Sequence, residues 1–184
     1  YIVQIIEDIK LNFEIDEKAE ITIEVNPGTV TLEKLEDYKR AGINRLSIGL
    51  QSTHEHLLKE IGRIHTYLDF LDTFRFAREA GFENINVDLM IGIPNQTLEE
   101  VKDSIEEIVS MEPEHISVYS LILEENTPLF KKVEEGLELP NEDLERKMYW
   151  AVKQTLEQNN YIHYEISNFA KKGYESKHNL DCWN

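Results

Sequence analysis

The sequence predicts an α/β fold, a partial β/α barrel of about four parallel strands with outer helices, followed by a C-terminal extension. Three observations predict it. Four β-type runs, "AEITIEVNP", "NRLSIGLQS", "NINVDLMIGIP" and "HISVYSLILEE", alternate with stretches of helical spacing at residues 31–41, about 54–80 and 97–111. Helix between successive strands implies βα units and therefore parallel pairing. Each run also sets an apolar series against a polar one, whereas strands covered by helices on both faces read as continuous apolar runs.

The elements follow in order. Ile2, Ile5, Ile6 and Ile9 form the stripe of an amphipathic helix with no capping residue ahead of it, so the sequence reads as beginning mid-fold. Gly42 and Gly81 fall where helices should stop, and Thr97 with Glu100 is a capping-box pattern. The strand entries resemble one another, "KRAGINRLSIG" beside "REAGFENINVDLMIG". Residues 126–140, with Pro128, Gly136 and Pro140, are expected to connect through a short helix. A longer amphipathic helix over 141–160 presents Leu144, Met148, Trp150 or Ala151, and Leu156 to the core. His163 is expected on an edge strand. Residues 1–135 are thus assigned to the barrel and 136–184 to a helix and the start of a C-terminal region. The closing "HNLDCWN" has no tail, which again reads as part of something longer.

Composition excludes several classes of function. With 184 residues, 41% hydrophobic, the chain can build one core. Asp and Glu number 36 against 19 Lys and Arg, a formal net charge of -17 that repels nucleic acid and anionic lipid; a basic partner or a neutral small molecule fits better. No charged-then-apolar leader and no long uncharged run is seen, and a single cysteine gives no disulfide framework, so the chain reads as cytoplasmic without an integral membrane segment.

Strand alternation gives the candidate site. Ile21, Ile23, Val25, Leu46, Ile48, Leu50, Val87, Leu89, Ile91, Ile116 and Val118 share one face. Thr22, Glu24, Asn26, Arg45, Ser47, Gln51, Asn86, Asp88, Ser117 and Tyr119 share the other. A polar inner face on a parallel, helix-wrapped sheet is what a barrel lumen presents to a ligand. Asp88, a carboxylate among apolar neighbours, either points into that lumen or is a structural group that caps a turn or pairs with an arginine such as Arg45. His54 and His56, two apart, diverge on a helix and make a poor metal pair.

The segments "EVNPGT", "GINRLSIGLQS", "GRIHT", "NVDLMIGIPNQT" and "YEISNFAKKGYESKHN" resemble, in this order and spacing, the radical SAM proteins related to oxygen-independent coproporphyrinogen III oxidase. The resemblance covers nearly the whole chain, and "YEISNFA" followed by "HNLDCWN" is more similar to the HemW branch, regarded as heme chaperones, than to the HemN oxidases. It implies S-adenosylmethionine across the lumen ends of the strands, contacted by Glu24, Gln51, Arg63 and Asp88, with Gly92 and Pro94 turning the chain near the adenine. Carboxylates and an amide suit ribose hydroxyls and an amino group, and a guanidinium suits the methionine carboxylate.

The departures carry equal weight. The CxxxCxxC motif that holds the family's [4Fe-4S] cluster is absent, as is the glycine-rich stretch of the following strand, and Cys182 cannot replace them. Both would precede Tyr1, so this stretch by itself is expected to be catalytically inert. A tyrosine is more usual where Cys182 stands. His178 is either a heme contact, with Cys182 and Trp183 beside it, or a packing residue, and it is expected to lie in a site separate from that of Asp88. The resemblance leaves a heme chaperone, with a heme-acceptor protein as partner, beside the oxidase that decarboxylates coproporphyrinogen III. The free strand edge beside Glu24 predicts self-association or coverage by the N-terminal helix.

Overall fold

The expected alternation of strands and helices is present in the computed structural model, which describes residues 1–183. Chain order is α1 (Ile2–Asn12), β1 (Thr22–Val25), α2 (Leu32–Ala41), β2 (Arg45–Gln51), α3 (Glu55–Glu60), α4 (Tyr67–Glu79), β3 (Ile85–Ile91) and α5 (Leu98–Ser110). It continues through β4 (His115–Ser120), α6 (Pro128–Glu134), α7 (Glu142–Gln158), β5 (Ile162–His163), β6 (Asn168–Ala170) and α8 (Lys177–Trp183). The strands form one sheet in the order β1-β2-β3-β4-β6-β5. The first four pair in parallel, while β6 pairs antiparallel with both β4 and β5. Residues beyond 136 therefore continue the same sheet, and His163 stands on its outermost strand.

Register aligns the apolar series in rows. Ile23, Leu46 and Ile85 are neighbours, as are Ile48, Val87 and Ile116, and Leu89 and Val118. Apart from the partly buried Ile23, these rows are buried with Phe70, Phe74, Ile105 and Met148 from the helices, so the core lies outside the sheet and the polar face is left for the lumen. Local signals place the helices. Thr31 Oγ1 accepts from Lys34 N to start α2, Gly42 ends it in the left-handed region at φ 102°, and Thr97 with Glu100 closes a capping box on α5.

Two expectations are corrected. The helical stretch at 54–80 is two helices, because Gly62 turns at φ 75° and a second capping box, Thr66 with Asp69, starts α4 afresh. Buried His65 fastens the intervening loop, its Nε2 lying 3.1 Å from the Leu50 carbonyl, and this holds Arg63 beside the end of β2. On α7, Met148, Val152 and Leu156 are buried at four-residue spacing and Trp150 is half exposed, since the face is set by that spacing and Trp150 falls off it. Helix α1 packs against α2, where Lys10 Nζ donates to the Ala41 carbonyl, and β1 ends the sheet.

The chain after β6 crosses back beneath the polar face. Ser176 Oγ and Lys177 N donate to the two carboxylate oxygens of Glu20 at 3.3 and 3.2 Å, and Lys177 Nζ reaches the Lys18 carbonyl. Glu20 precedes β1, at the opposite end of the sheet's parallel part, so this segment spans the N-terminal ends of the strands.

Candidate functional site

Side chains of the polar series converge. An open cavity of about 650 Å³ is lined by Glu24, Gln51, Arg63, Asp88 and His178, every site residue expected from the sequence, together with Arg45 and Tyr119. Its long direction follows the strands: β2 alone spans roughly 20 Å from Arg45 to Gln51 at about 3.3 Å per residue. Gln51, Arg63 and Met90 mark the C-terminal mouth. Thr22, Arg45, Ser176, His178 and Asn179 mark the floor. The expected separation of His178 from Asp88 is therefore corrected: the segment tied to Glu20 folds under the lumen and brings His178 to the same cavity. Asn184 and the Trp183 side chain, which complete the "HNLDCWN" stretch, lie outside the described residues.

At the mouth the backbone is specialised. The pairing of β2 with β3 shifts register between Gly49 and Gln51, and Gln51 adopts φ 75°, a conformation that costs a non-glycine residue free energy and concentrates at functional positions. Gly49 has no side chain where one would be 3.2 Å from Gln51 Nε2 and 3.6 Å from Asn26 Oδ1. Arg63 donates from Nη1 to Asn26 Oδ1 at 3.1 Å. Gly92 turns the chain after β3 at φ 79°, and Gln96 ties that turn by donating to the Met90 carbonyl and accepting from Ile93 N. A second cleft of about 510 Å³ shares Arg63 and Met90 and has an apolar wall that includes Ile122, Leu123 and Leu129.

Asp88 does not pair with Arg45. Its Oδ1 accepts from Asn86 Nδ2 at 2.7 Å and its Oδ2 from Ser47 Oγ at 3.1 Å. Burial pushes its carboxyl above the usual range and the nearby Glu24 charge adds to that, while the hydrogen bonds from Asn86, Ser47 and Ser117 act the other way. Since Asn86 Nδ2 donates to Asp88 and to Ser47, Asn86 Oδ1 is an acceptor, and His115, 2.6 Å away, must carry its proton on Nδ1. His115 Nε2 then accepts from the Tyr164 hydroxyl at 2.7 Å, and that hydroxyl accepts from Asn179 Nδ2 and Ser176 N. Burial, with the Arg45 charge adding to it, lowers the His115 imidazole to about 3, so it is neutral in the folded protein.

This network joins the lumen carboxylate to the segment carrying His178. Asn86 and Ser117 belong to the polar alternation, and Tyr164 lies within "YEISNFA", but no pattern in the sequence marked His115. Other candidates stay apart. His54 Nε2 lies 3.2 Å from the Glu100 carbonyl and His56 pairs with the Glu100 carboxylate at 3.0 Å, both on the α5 side. Cys182 is exposed, and among the described residues no group of three or more His, Cys, Asp or Glu is placed to hold a metal. No helix among them is long and apolar enough to cross a membrane.

Known proteins similar to this chain fall in one superfamily. The heme chaperone HemW of Bacillus subtilis (strain 168) is 47% identical over 90% of this chain and 44% of its own length. The protein of Danio rerio named radical S-adenosyl methionine domain-containing protein 1, mitochondrial, is 36% identical over 99% of this chain and 41% of its own. The chain thus spans a little under half the length of these curated relatives. Among solved structures, coproporphyrinogen III oxidase (HemN) from Escherichia coli superposes with a TM-score of 0.81 at 25% identity, covering 95% of this chain and 40% of that one. The fold is accordingly a partial radical SAM barrel. The sequence profile of the Radical SAM superfamily matches residues 1–108, more than half of the chain, and the chain belongs to that superfamily.

Proposed function

We propose that this chain binds S-adenosylmethionine in its lumen and that the full-length protein is a heme chaperone of the HemW type. The observation that carries the reading is the 47% identity with the Bacillus subtilis heme chaperone over 90% of the chain. The cavity's donors and acceptors fit the cofactor. Glu24 and Asp88 accept from ribose hydroxyls or the amino group, the Gln51 amide donates or accepts, and Arg63 pairs with the methionine carboxylate. The strained Gln51, packed close to the bare Gly49, further supports a ligand there.

A [4Fe-4S] cluster, where bound, would supply an electron for reductive chemistry on the cofactor. The single cysteine does not fit the role of holding such a cluster, so the part played by these residues is to bind and orient the cofactor. Heme, with His178 as a contact, is the cargo, a heme-acceptor protein the partner, and the cytoplasm the compartment. The similarity to the Escherichia coli coproporphyrinogen III oxidase supports a second reading, oxidative decarboxylation of coproporphyrinogen III.

Titrating the full-length protein with heme and assaying it for protoporphyrinogen IX separates the two. Visible bands of ligated iron without conversion are expected of the chaperone. Conversion without a heme spectrum would put the oxidase in its place.

A further inference from the structure

Arg45, the alternative partner considered for Asp88, is left without one among the described residues. Arg45 is only 6% exposed, yet its Nε makes no hydrogen bond, and no hydrogen bond or ion pair from its guanidinium occurs among the described residues. Four carboxylates around the cavity are engaged elsewhere. Glu20 is held by Ser176 and Lys177, Asp88 by Asn86 and Ser47, Glu165 by Ser167 and Asn168, and Glu114 by both terminal nitrogens of Arg78. Glu24, on the same face of β1, forms no ion pair with Arg45, and its charge acts on Asp88. Burying an unpaired charge costs several kcal/mol in general, and proteins rarely bear that cost without a counter-ion.

Arg45 lines the floor of the cavity, not its mouth. It begins β2, beside Thr22 of β1, while Gln51 ends the same strand roughly 20 Å away at about 3.3 Å per residue. A cofactor held by Gln51, Arg63 and Asp88 would leave this end free. Around Arg45 the floor presents Thr22, Ser176, His178 and Asn179, hydroxyl, imidazole and amide groups, and the carboxylate at this end, Glu20, is held by Thr22, Ser176 and Lys177 with no ion pair to Arg45. The positive charge is felt locally: it adds to the lowering of the neighbouring His115 imidazole.

We propose that the lumen floor is a carboxylate-binding subsite centred on Arg45, with the guanidinium pairing in bidentate fashion with a carboxylate of an organic ligand. Guanidinium and carboxylate match in planarity and spacing, and the pair is stronger in a dry pocket than in water. The carboxylate belongs either to a free organic acid or to a propionate arm of a porphyrin. Neither source requires iron or S-adenosylmethionine, so the subsite stands or falls independently of the cofactor and heme assignments.

The probe is sodium propionate, titrated into the full-length protein against sodium chloride at equal ionic strength while thermal unfolding is followed. Binding to the folded state alone raises the unfolding temperature by mass action. Propionate is expected to raise it above the chloride value in the wild type and not in Arg45→Met. In chloride, Arg45→Met should unfold no sooner than the wild type, because it removes an unpaired buried charge. A second arm compares metal-free protoporphyrin IX with its dimethyl ester by fluorescence titration. Tighter binding of the diacid by at least tenfold, lost in Arg45→Met, assigns the carboxylate to a porphyrin. Equal binding, or no binding, of the two porphyrins with the propionate effect intact assigns it to a free organic acid. The proposal is overturned if propionate acts equally on wild type and Arg45→Met, or has no effect beyond chloride. It is also overturned if Arg45→Met loses its fold, since the guanidinium would then serve a partner within the protein.

Discussion

The Tyr164 hydroxyl and His115 Nε2 lie 2.7 Å apart, and this bond joins the lumen network to the segment that closes the floor, which is also tied to Glu20. On one side stand Asn86 and Asp88 in the lumen, on the other Ser176 and Asn179 below it. Tyr164→Phe keeps the ring against His115, whose edge-on contact has centroids 5.6 Å apart, but leaves a buried imidazole nitrogen without a donor. The expected loss is about 1–3 kcal/mol, the cost of an unsatisfied buried polar group. Urea denaturation of the two proteins measures it. An unchanged midpoint would show that water replaces the hydroxyl.

Acid should destabilise the fold through the same histidine. In the unfolded chain His115 takes up a proton near 6.5, whereas the folded protein holds it neutral down to about 3. The unfolded state therefore binds more protons between these values, and stability falls as the pH drops through that window; above 6.5 the contribution is fully present. A His115→Gln variant should lose this part of the pH dependence. Stability followed from pH 7 to 4 in both proteins tests the sign, and parallel curves would remove His115 as the cause.

Asp88 works in the opposite sense. Its carboxyl titrates above the unfolded value, so the folded state favours the protonated form, and stability is lost as pH rises through the raised value. Asp88→Asn removes this penalty and should unfold later than the wild type at neutral pH, with the advantage shrinking in acid. Asp88→Ala should weaken S-adenosylmethionine binding in the full-length protein by about 1.5–3 kcal/mol, the scale for hydrogen bonds to a charged group. Calorimetric titration measures it. Normal binding by a variant that unfolds far more readily would make Asp88 a structural residue.

The contrast between Asp88 and His115 shows what the sequence made legible. Period two placed Asp88, Ser47, Asn86 and Ser117 on one face, because a strand's side-chain alternation is local and survives any tertiary arrangement. Capping patterns such as Thr97 with Glu100 are local too. The partner of Asp88 was not legible, since a carboxylate in a strand is equally served by an arginine or by an amide and a hydroxyl. Nor was the shared cavity of Asp88 and His178, which depends on where the chain after β6 turns to reach Glu20. Arg63 was reached only through resemblance. Its place at the mouth follows from Gly62 and His65 breaking a helical stretch whose apolar spacing runs on.

Gly49→Ala tests the mouth without removing any polar group. The added methyl would sit 3.2 Å from Gln51 Nε2 and 3.6 Å from Asn26 Oδ1, so it must displace the Gln51 amide, and Asn26 is the residue that receives Arg63. Binding of S-adenosylmethionine should weaken by roughly tenfold or more, equivalent to about 1.4 kcal/mol, while thermal unfolding changes little because the closest neighbour is the end of the flexible Gln51 side chain, which can move aside. Intact affinity would show that the cofactor does not use the Gln51 amide.

His178 gives the last prediction, since it lines the same cavity as Asp88 and is connected to it through Asn179, Tyr164, His115 and Asn86. If heme contacts His178, His178→Ala should shift the visible spectrum of heme bound to the full-length protein, because losing an imidazole nitrogen changes the ligand field of the iron directly. Heme and S-adenosylmethionine should also alter each other's affinity. Reciprocity requires the factor by which the cofactor changes heme affinity to equal the factor by which heme changes cofactor affinity. Heme titrations with and without saturating cofactor, and the reverse pair, give both factors. Tyr164→Phe, which cuts the network between the two residues while touching neither ligand, should bring the factor towards one. Were the two affinities independent in the wild type, sharing a cavity would have no energetic consequence, and the hydrogen-bonded chain from Asp88 to Asn179 would serve folding alone.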